Sequence, residues 1–418
     1  MNVLLKSATV IDSKSEYHNE TVDILIEKGT ITKISKRISN PNNFTELRLN
    51  NLHVSQGWFD SSVSFGEPGY EERETIDNGL KTAAVSGFTD VAVNPNTNPA
   101  IDSNSDVSFL MTKAQNNAIN IYPIGALTMH SNGEELAELF DMQTAGAVAF
   151  GDYKKSISNA NLMKIALQYA TNFDGLICAF PQDKSIASNG AMNEHIQSTK
   201  LGLKGIPNLA EELCLARDLY LLEYTGGKLH IPTISTAKSV ELIREAKQKK
   251  LDVTCSVAIH NLYFTDTVLS EFETRFKVSP PLRTQNDIDA LLEGLKDGTI
   301  DMVTSDHSPL NIELKDKEFD YATPGTIGLE SAFGALNSIV PLKTTVKLLT
   351  KGKNRFGVDT HSINIGEKAV ITLFNPKTKY TFTKTNISSK SKNSIFLNSD
   401  LNGEVYGIIN NNKLKLNS

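Results

Sequence analysis

The chain has 418 residues and a net charge of −6, and 39% of its residues are hydrophobic. This length exceeds that of one ordinary core, so we expect either a large barrel with additions or two domains. The negative charge argues against a nucleic-acid partner, which would favour a basic surface. No stretch approaches the roughly 18 apolar residues of a membrane span, and the first residues lack the features of a secretory signal. We therefore expect a cytoplasmic protein without a membrane partner.

Both ends of the chain are rich in short β-type runs. Residues 1–54 contain VLLKSATVI and VDILIEKGTITKIS, and residues 365–418 contain KAVITLF, KYTFT and EVYGIINNNKLKL. These runs are separated by polar turns and show no helical repeat, which predicts strands. We expect the two terminal segments to form one small β-sandwich domain, with residues 55–364 as a separate unit.

The central segment alternates between short apolar runs and longer amphipathic stretches. Eight runs of strand length begin at Trp58, Phe88, Ile121, Ala147, Leu176, Lys228, Asp252 and Asp301. Helix-period stretches such as NLAEELCLARDLYLLEY separate several of them. Repeated strand–helix units predict an α/β fold, a (β/α)8 barrel of the TIM type. A doubly wound open sheet is the alternative, but no GxGxxG turn follows the first strand.

In a TIM barrel, chemistry is located just past the carboxyl ends of the strands. The sequence places these residues there: Ser62, Ser64, Asn94, Asn96, Thr128, Asp152, Phe180, Thr233, His260, Asp306 and His307. A hydrolytic zinc site needs imidazole, carboxylate or thiolate ligands, and only two aspartates and two histidines of this set qualify. The residue types therefore disfavour an intact zinc site. A serine nucleophile is also disfavoured, because neither Ser62 nor Ser64 lies in a GxSxG elbow.

The segment around the first predicted strand carries a family resemblance. GWFDSSVSFGEPGYEERETIDNGLKTAAVSGFTDVAVNPNTNPAID resembles the dihydroorotase stretch GFIDxHVHxREPGxExKETI…AAxxGGFTxVxxMPNTxP. The similarity continues through IYPIGALT, GAVAF, LGLKGIP, PPLR, TSDHSP and IGLES, over nearly the whole chain. This resemblance to dihydroorotases, of the amidohydrolase superfamily, implies a TIM-type barrel flanked by a β-sandwich from both termini. It also implies zinc-dependent interconversion of carbamoyl aspartate and dihydroorotate in pyrimidine biosynthesis.

The positions that hold zinc in the family are occupied by other residue types here. The resemblance places the two histidines of the family's HxH motif at Ser62 and Ser64. It places the later metal-binding histidines at Phe180 and Thr233. Hydroxyl groups are poor zinc ligands and a phenyl ring is none. We therefore expect no zinc cofactor, unless an atypical site replaces the family's.

A few family positions are retained. Asp152 matches the bridging carboxylate of the FxDDG motif, Asp306 matches the aspartate that binds metal and carries the proton, and Asn96 matches a substrate contact. We expect Asp306 to be idle without a metal. The other substrate positions have changed, and they fall on Gly66, Ser279 and Leu310.

Three histidines near the predicted site are assigned to the scaffold. His230 precedes Thr233 by three residues, and on a strand this odd offset predicts that its side chain points to the other face. His260 matches the first histidine of a TPHHL-like segment, and His307 matches the histidine of the DHAP segment. We expect none of the three to replace a lost ligand.

These observations lead to a pseudoenzyme hypothesis: a dihydroorotase-like homo-oligomer that acts as a scaffold or partner. Some dihydroorotase-like chains without metal ligands accompany aspartate transcarbamoylase, so the resemblance makes that enzyme the candidate partner. One alternative is an active dihydroorotase, or another cyclic-amide hydrolase, with an atypical zinc site that uses Asp152 and Asp306. A second alternative is a metal-free barrel that binds a small polar ligand through Ser62, Ser64, Asn96 and Thr233.

Overall fold

Strands and helices alternate along the chain in the computed structural model, which describes residues 1–40 and 42–417. The strands are β1 (Asn2–Val10), β2 (Thr21–Glu27), β3 (Thr30–Ser35), β4 (Thr45–Leu47), β5 (His53–Gln56), β6 (Trp58–Val63), β7 (Phe88–Val93), β8 (Asn120–Gly125), β9 (Ala149–Phe150), β10 (Leu176–Cys178), β11 (Met192–Asn193), β12 (Gly205–Ile206), β13 (Lys228–Ile231), β14 (Val253–Ala258), β15 (Met302–Thr304), β16 (Ile371–Thr381), β17 (Asp400–Asn410) and β18 (Lys413–Leu416). The helices are α1 (Ile76–Val85), α2 (Asn104–Lys113), α3 (Leu139–Ala145), α4 (Ala160–Ala170), α5 (Lys184–Ala187), α6 (Ile196–Leu201), α7 (Asn208–Thr225), α8 (Ala237–Gln248), α9 (Ile259–Tyr263), α10 (Gln285–Asp297), α11 (Ile312–Lys315), α12 (Leu329–Ile339) and α13 (Leu342–Thr350). Within the described ranges, no helix has both the length and the apolar character needed to cross a membrane.

Eight parallel strands form the barrel, in the order β6, β7, β8, β9, β10, β13, β14 and β15. The two end strands approach each other through a parallel bridge between Val63 and His307, where Ser64 N donates to His307 O at 2.8 Å. Each of the eight runs identified in the sequence provides one of these strands. The predicted TIM-type fold is therefore confirmed, together with the additional sheet from the termini.

The strands form where apolar runs can be buried on both sides. Every residue of β6 and β7 is buried, as expected when a parallel sheet is covered by helices outside and by its own side chains inside. The surrounding helices begin at residues that satisfy their free N–H groups. Thr236 Oγ1, for example, accepts from Ser239 N at 3.1 Å and fixes the start of α8.

The additional sheet combines strands from both ends of the chain, in the order β18, β17, β16, β5, β1, β2 and β3, with β4 beside β1. The two ends meet where β5 pairs antiparallel with β16. Trp58, at the start of the barrel, packs against this junction, with ring centroids 4.8 Å from Phe333 and 5.5 Å from Phe374. The domain limits of residues 1–54 with 365–418, and of 55–364, stay a prediction.

The amino-terminal end of the barrel is closed by apolar packing and one buried ion pair. Phe59 and Phe356 pack with ring centroids 5.3 Å apart. Lys353 Nζ lies 2.6 Å from Asp90 Oδ2, and both side chains are almost fully buried. Asn120 Nδ2 also donates to Asp90 Oδ1 at 2.8 Å. These contacts form the floor of the barrel, in which both oxygens of the Asp90 carboxylate have partners.

Candidate functional site

Three strands end in backbone turns that non-glycine residues seldom adopt. Lys154 follows β9 with a φ of 54°, Thr233 follows β13 with a φ of 51°, and Asp306 follows β15 with a φ of 51°. A left-handed φ costs an ordinary residue roughly 1 kcal/mol or more, and such strain concentrates at functional sites. All three turns lie at the carboxyl ends of the strands, where a TIM barrel carries its chemistry.

Two of these residues, Lys154 and Asp306, form a buried ion pair. Lys154 Nζ lies 2.7 Å from Asp306 Oδ2, with the lysine side chain 14% exposed and the aspartate 1% exposed. The second carboxylate oxygen, Oδ1, accepts from Tyr153 OH and from Ser62 Oγ, each at 3.3 Å. Asn94 Nδ2 donates in turn to Ser62 Oγ at 3.1 Å. Both oxygens of the Asp306 carboxylate therefore have partners within the chain.

The charge on Lys154 is held in place by this contact. Burial works to lower the pKa of Lys154, but the adjacent Asp306 carboxylate outweighs it, so the pKa lies above the ordinary value of a lysine. The side chain is consequently an ammonium ion at neutral pH. A fixed positive charge thus lies beside Asp306, the residue that the resemblance to dihydroorotases places at a metal-binding position.

Asp152, the other retained carboxylate, is committed to the backbone of a neighbouring loop. Its Oδ1 accepts from Leu127 N at 2.9 Å and from Thr128 N at 3.1 Å, and its Oδ2 accepts from Thr128 Oγ1. Burial raises the pKa of Asp152 above its usual range, although these hydrogen bonds act in the opposite direction. Asp152 therefore stabilises the turn after β8.

The carboxyl-terminal end of the barrel is called the mouth. A small inner cavity of about 30 Å³ lies inside it. Its walls include Ser62, Phe180 and Thr233, three of the positions that carry metal-binding histidines in the family. Asp152, Lys154 and Asp306 also line it. This volume has room for one or two water molecules and excludes a metabolite.

The donors around the inner cavity do not fit a zinc ion. The two carboxylates already have partners, and burial raises the pKa of the Cys178 thiol to about 12, so it is not a thiolate at neutral pH. His230 is a single imidazole whose Nδ1 lies 2.9 Å from Thr254 Oγ1, and the remaining groups are hydroxyls, an amide, a phenyl ring and an ammonium. Across residues 1–40 and 42–417, no group of three histidine, cysteine, aspartate or glutamate side chains is placed to hold a metal. Zinc needs three or four such ligands. The ligand set implied by the resemblance is therefore missing from the mouth.

The three histidines near the mouth are buried and neutral. His230 lines the same inner cavity as Thr233, so the prediction that the two point to opposite faces is wrong. The strand ends at Ile231 and the chain turns sharply at Thr233, so the two-residue alternation does not continue that far. Burial lowers the pKa of His230, His260 and His307 to about 3 in each case.

The hydrogen bonds of these histidines support a scaffold role for two of them. His230 Nδ1 lies 2.9 Å from Thr254 Oγ1, and His307 Nδ1 accepts from Gly328 N at 3.2 Å. Both ring nitrogens of His260 are buried without a hydrogen-bond partner in the part of the chain that the structure describes.

A larger outer pocket of about 330 Å³ lies on the other side of Tyr153 and Lys154, which line both spaces. It brings together the residues at the family's substrate positions that the sequence identified: Gly66, Asn96, Ser279 and Leu310. Ser64 lines this pocket, whereas Ser62 and Thr233 line the inner cavity. The polar residues at the strand ends are thus divided between two spaces.

Three residues of the outer pocket bear on ligand binding. Gly66 has no room for a side chain, because an added Cβ would lie 1.9 Å from the carbonyl oxygen of Tyr70. Arg73 stacks on the ring of Tyr70 at 3.7 Å. Its buried Nε lies 3.5 Å from Glu72 Oε1 and has no hydrogen-bond partner within residues 1–40 and 42–417. Within the same ranges, the buried Asn96 Oδ1 also has no partner.

Sequence reasoning missed Tyr153, Lys154 and Arg73. A signal was available for the first two, because FGDYK places tyrosine and lysine where the family's FxDDG motif has aspartate and glycine. Arg73 stands where the family's EPGxExKETI has lysine, a change that attracts little notice. The contact between Lys154 and Asp306 joins residues 152 positions apart, and the sequence alone does not predict it.

Comparisons with known proteins agree with this architecture. The family model described as dihydro-orotase-like matches residues 53–239. The dihydroorotase of Acetivibrio thermocellus is 40% identical over 415 residues, covering 97% of this chain and 96% of that protein. The dihydroorotase of Pelotomaculum thermopropionicum is 41% identical over 403 residues, covering 95% and 94%.

Solved structures support the fold. The L-hydantoinase (dihydropyrimidinase) from Arthrobacter aurescens superposes with a TM-score of 0.85 at 20% identity, covering 99% of this chain and 95% of that one. The dihydropyrimidinase from Brevibacillus agri gives a TM-score of 0.82 at 19% identity, with the same coverage. At this level of identity the likeness concerns the fold alone.

Proposed function

The chain belongs to the dihydroorotase family, and we propose that it is a catalytically inactive member, a cytoplasmic pseudo-dihydroorotase that serves pyrimidine biosynthesis as a scaffold. The observation that carries this proposal is the ion pair between Lys154 and Asp306. It engages the aspartate that binds metal and carries the proton in the family. It also puts a fixed positive charge where a metal cation would have to approach.

Hydrolysis or closure of a cyclic amide at neutral pH needs an activated water or a polarised carbonyl. A bound zinc ion lowers the pKa of water from 15.7 to about 7, and it also acts as a Lewis acid. Neither Asp306, paired with an ammonium, nor Asp152, paired with three donors, is free to take a proton from water. The mouth therefore has the family's shape without the groups that perform its reaction.

Turnover measurements test the proposal. The purified chain, supplied with zinc, is assayed in both directions with dihydroorotate and carbamoyl aspartate, beside its Asp306→Ala variant. The dihydroorotase of Acetivibrio thermocellus serves as the positive control. We expect both forms of this chain to match the rate without protein. Turnover that is present in the natural chain and lost in Asp306→Ala would contradict the proposal and support an atypical metal site.

Aspartate transcarbamoylase is the proposed partner of the scaffold. The support is the family relationship, since enzymes of successive steps gain from association and this chain keeps the whole fold. The experiment mixes the chain with the aspartate transcarbamoylase of the same organism and follows elution by size. We expect one peak that contains both proteins. Separate peaks at micromolar concentrations would contradict the proposed partner. They would not contradict the proposal that the chain is catalytically inactive.

A second candidate function is a metal-free barrel that holds a small polar ligand, and the outer pocket favours it. Arg73 Nε, 3.5 Å from Glu72 Oε1, offers a buried N–H donor without a hydrogen bond among the described residues, and Asn96 Oδ1 offers a buried acceptor. A small carboxylate that also carries an N–H group would satisfy both. A pocket of about 330 Å³ suits a ligand of that size.

Thermal melting tests this second function, because a ligand that binds only the folded state raises Tm. Carbamoyl aspartate, dihydroorotate and other small carboxylates are screened against the natural chain. We expect a rise in Tm that Arg73→Met abolishes and that Arg48→Met, an exposed arginine in the terminal sheet, retains. An unchanged Tm with every compound counts against ligand binding.

A further inference from the structure

A third space opens beside the mouth, outside the inner cavity and the outer pocket. It is a groove of about 900 Å³, lined by parts of residues 272–275, 310–317 and 384–397 and by Glu72. Leu310 lines both the groove and the outer pocket, so the two spaces are neighbours. Ligand pockets usually have volumes of roughly 300–1,000 Å³. This space, the side groove, therefore has room for a larger ligand than the outer pocket can hold.

The side groove is basic, although the whole chain carries a net charge of −6. Two of its three carboxylates have arginine partners, since Glu273 pairs with Arg275, and Glu72 Oε1 lies 3.5 Å from Arg73 Nε. The third carboxylate is that of Asp316. Five lysines also line the groove: Lys315, Lys317, Lys384, Lys390 and Lys392. The excess of lysines over unpaired carboxylates favours an anionic ligand.

Contacts within the chain do not neutralise these lysines. Lys390 Nζ donates to one backbone carbonyl oxygen at 2.7 Å, and Lys392 Nζ donates to two, at 2.9 and 2.7 Å. A carbonyl oxygen carries no net charge, so both ammonium groups keep their full positive charge. Lys317 and Lys384 are exposed to solvent. Like charges gathered in one groove repel each other, and a bound anion would relieve that repulsion.

An aromatic side chain of the side groove, that of Phe272, is held on strained backbone. Phe272 follows the 3-10 turn Asp266–Glu271 with a φ of 57°, and it is 45% exposed. Glycine is the usual residue in this conformation, and a bulky residue there is an outlier. Because the ring is half exposed, its burial does little to offset the strain. Strained backbone of this kind concentrates at ligand contacts, so the ring is a candidate contact for a planar group.

We propose that the side groove binds a nucleoside triphosphate, with its phosphates among the lysines and its base stacked on Phe272. Lysine ammonium groups bind phosphate as point charges, and aromatic rings stack on any base. A single phosphate or a small carboxylate would occupy little of the 900 Å³ and would leave the Phe272 ring without a contact. Because the side groove lies outside the mouth, nucleotide binding there does not depend on catalytic inactivity.

Isothermal titration calorimetry tests the ligand class with ATP, UTP, tripolyphosphate and adenosine. We expect both nucleotides to bind the natural chain at micromolar concentration, and more weakly when salt is added. Tripolyphosphate should bind roughly fivefold more weakly or worse, because it lacks the base. Adenosine, which lacks the phosphates, should not bind measurably. Failure of both nucleotides to bind, or equal affinity for ATP and tripolyphosphate, would overturn the proposal. Displacement of ATP by carbamoyl aspartate would also overturn it, because it would place the nucleotide in the outer pocket.

Substitution of two exposed lysines tests the position of the phosphates. Lys317→Gln with Lys384→Gln should raise the dissociation constant of ATP roughly tenfold, because two ammonium–phosphate contacts are lost. The matched control is Lys33→Gln with Lys36→Gln, at exposed lysines of the terminal sheet, which should leave the dissociation constant unchanged. An equal effect of the two double substitutions, or none, would contradict binding in the side groove.

Removal of the Phe272 ring tests the position of the base. Phe272→Gly should weaken ATP binding roughly fivefold or more and leave tripolyphosphate binding unchanged. It should not lower Tm, because glycine adopts a φ of 57° without strain and the ring is half exposed. Equal weakening of the two ligands, or a lower Tm with ATP binding unchanged, would show that the ring serves the fold and does not hold a base.

Discussion

The barrel has a buried lysine–aspartate pair at each end, and the two pairs are built differently. At the amino-terminal floor, Lys353 and Asp90 lie on backbone without a left-handed turn and are 1% and 3% exposed. At the mouth, Lys154 and Asp306 both adopt left-handed φ angles and border two cavities. The first pair completes a packed floor. The second is held on strained backbone at the position where the family performs its chemistry.

This difference distinguishes an ion pair that supports the fold from an ion pair at the position of the family's functional site. In TIM barrels the amino-terminal face is a region of stability and the carboxyl-terminal face is a region of function. Strain of the kind found at the mouth persists only where the surrounding structure enforces it. The Lys154 ammonium therefore lies in the region of function, whereas the Lys353 ammonium belongs to the core.

Removing the aspartate from each pair should give the largest contrast. Asp90→Ala leaves Lys353 buried and unpaired and should lower the free energy of unfolding by about 3–5 kcal/mol. Asp306→Ala leaves Lys154 beside two cavities, where water can solvate it, and should cost about half as much. Urea unfolding of the two variants measures the difference. Equal losses would show that the two pairs support the fold in the same way.

Acid should lower the free energy of unfolding through the buried histidines at the mouth. His260 and His307 follow barrel strands at the mouth, and burial lowers the pKa of each from 6.5 to about 3. Between these values the unfolded chain binds more protons than the folded chain, so stability falls as pH decreases from about 6.5 towards 3. His230 has the same lowered pKa, and three such groups give a slope of up to roughly 4 kcal/mol per pH unit.

Unfolding in urea between pH 7 and pH 5 measures this slope. We expect His260→Leu to reduce it, because that residue no longer takes up a proton on unfolding. Asn261→Leu, at the neighbouring buried residue, is the matched control, because the side chain that it removes carries no titratable group. A slope that His260→Leu does not alter would show that His260 is not held neutral by burial.

Glycine and alanine should rank in opposite order at the two lysines. At Lys154, glycine relieves the left-handed φ, so Lys154→Gly should be more stable than Lys154→Ala by about 1 kcal/mol. At Lys353, which has no left-handed φ, Lys353→Ala should be more stable than Lys353→Gly by about 0.5–1 kcal/mol. Thermal melting of the four variants checks the order. The same order at both sites would remove the distinction between strained and relaxed backbone.

The smallest expected effect is at Thr233, a β-branched residue with a φ of 51°. Thr233→Gly should raise stability by up to about 1 kcal/mol, because the relief of strain exceeds the entropy that glycine adds to the unfolded chain. Thr254→Gly, in the regular strand β14, should instead destabilise. Differential scanning calorimetry resolves changes of this size. A loss of stability at both positions would mean that Thr233 is not strained.

The sequence predicted the barrel closely because its signals are local. The runs at Trp58 and Phe88 have the length of strands and alternate with helix-period stretches, and this local pattern located β6 and β7. The replacement of family histidines at Ser62, Ser64 and Phe180 could likewise be read directly from the motifs.

The rest of the site depends on contacts that no local pattern encodes. Lys154 reaches Asp306 only because β9 and β15 end at the same face of the barrel and both turns adopt left-handed φ angles. The division of the polar residues between two cavities depends on the positions of Tyr153 and Lys154. The error at His230 has the same origin, because the alternation rule failed where the strand ended.

Zinc stoichiometry after equilibration with the metal and gel filtration tests the central claim most directly. We compare the natural chain with a variant that carries the family's residues, Ser62→His, Ser64→His, Lys154→Gly, Phe180→His and Thr233→His. The account predicts no stoichiometric zinc in the natural chain and bound zinc in the variant. One or more zinc ions per natural chain, released by Asp306→Ala, would contradict it.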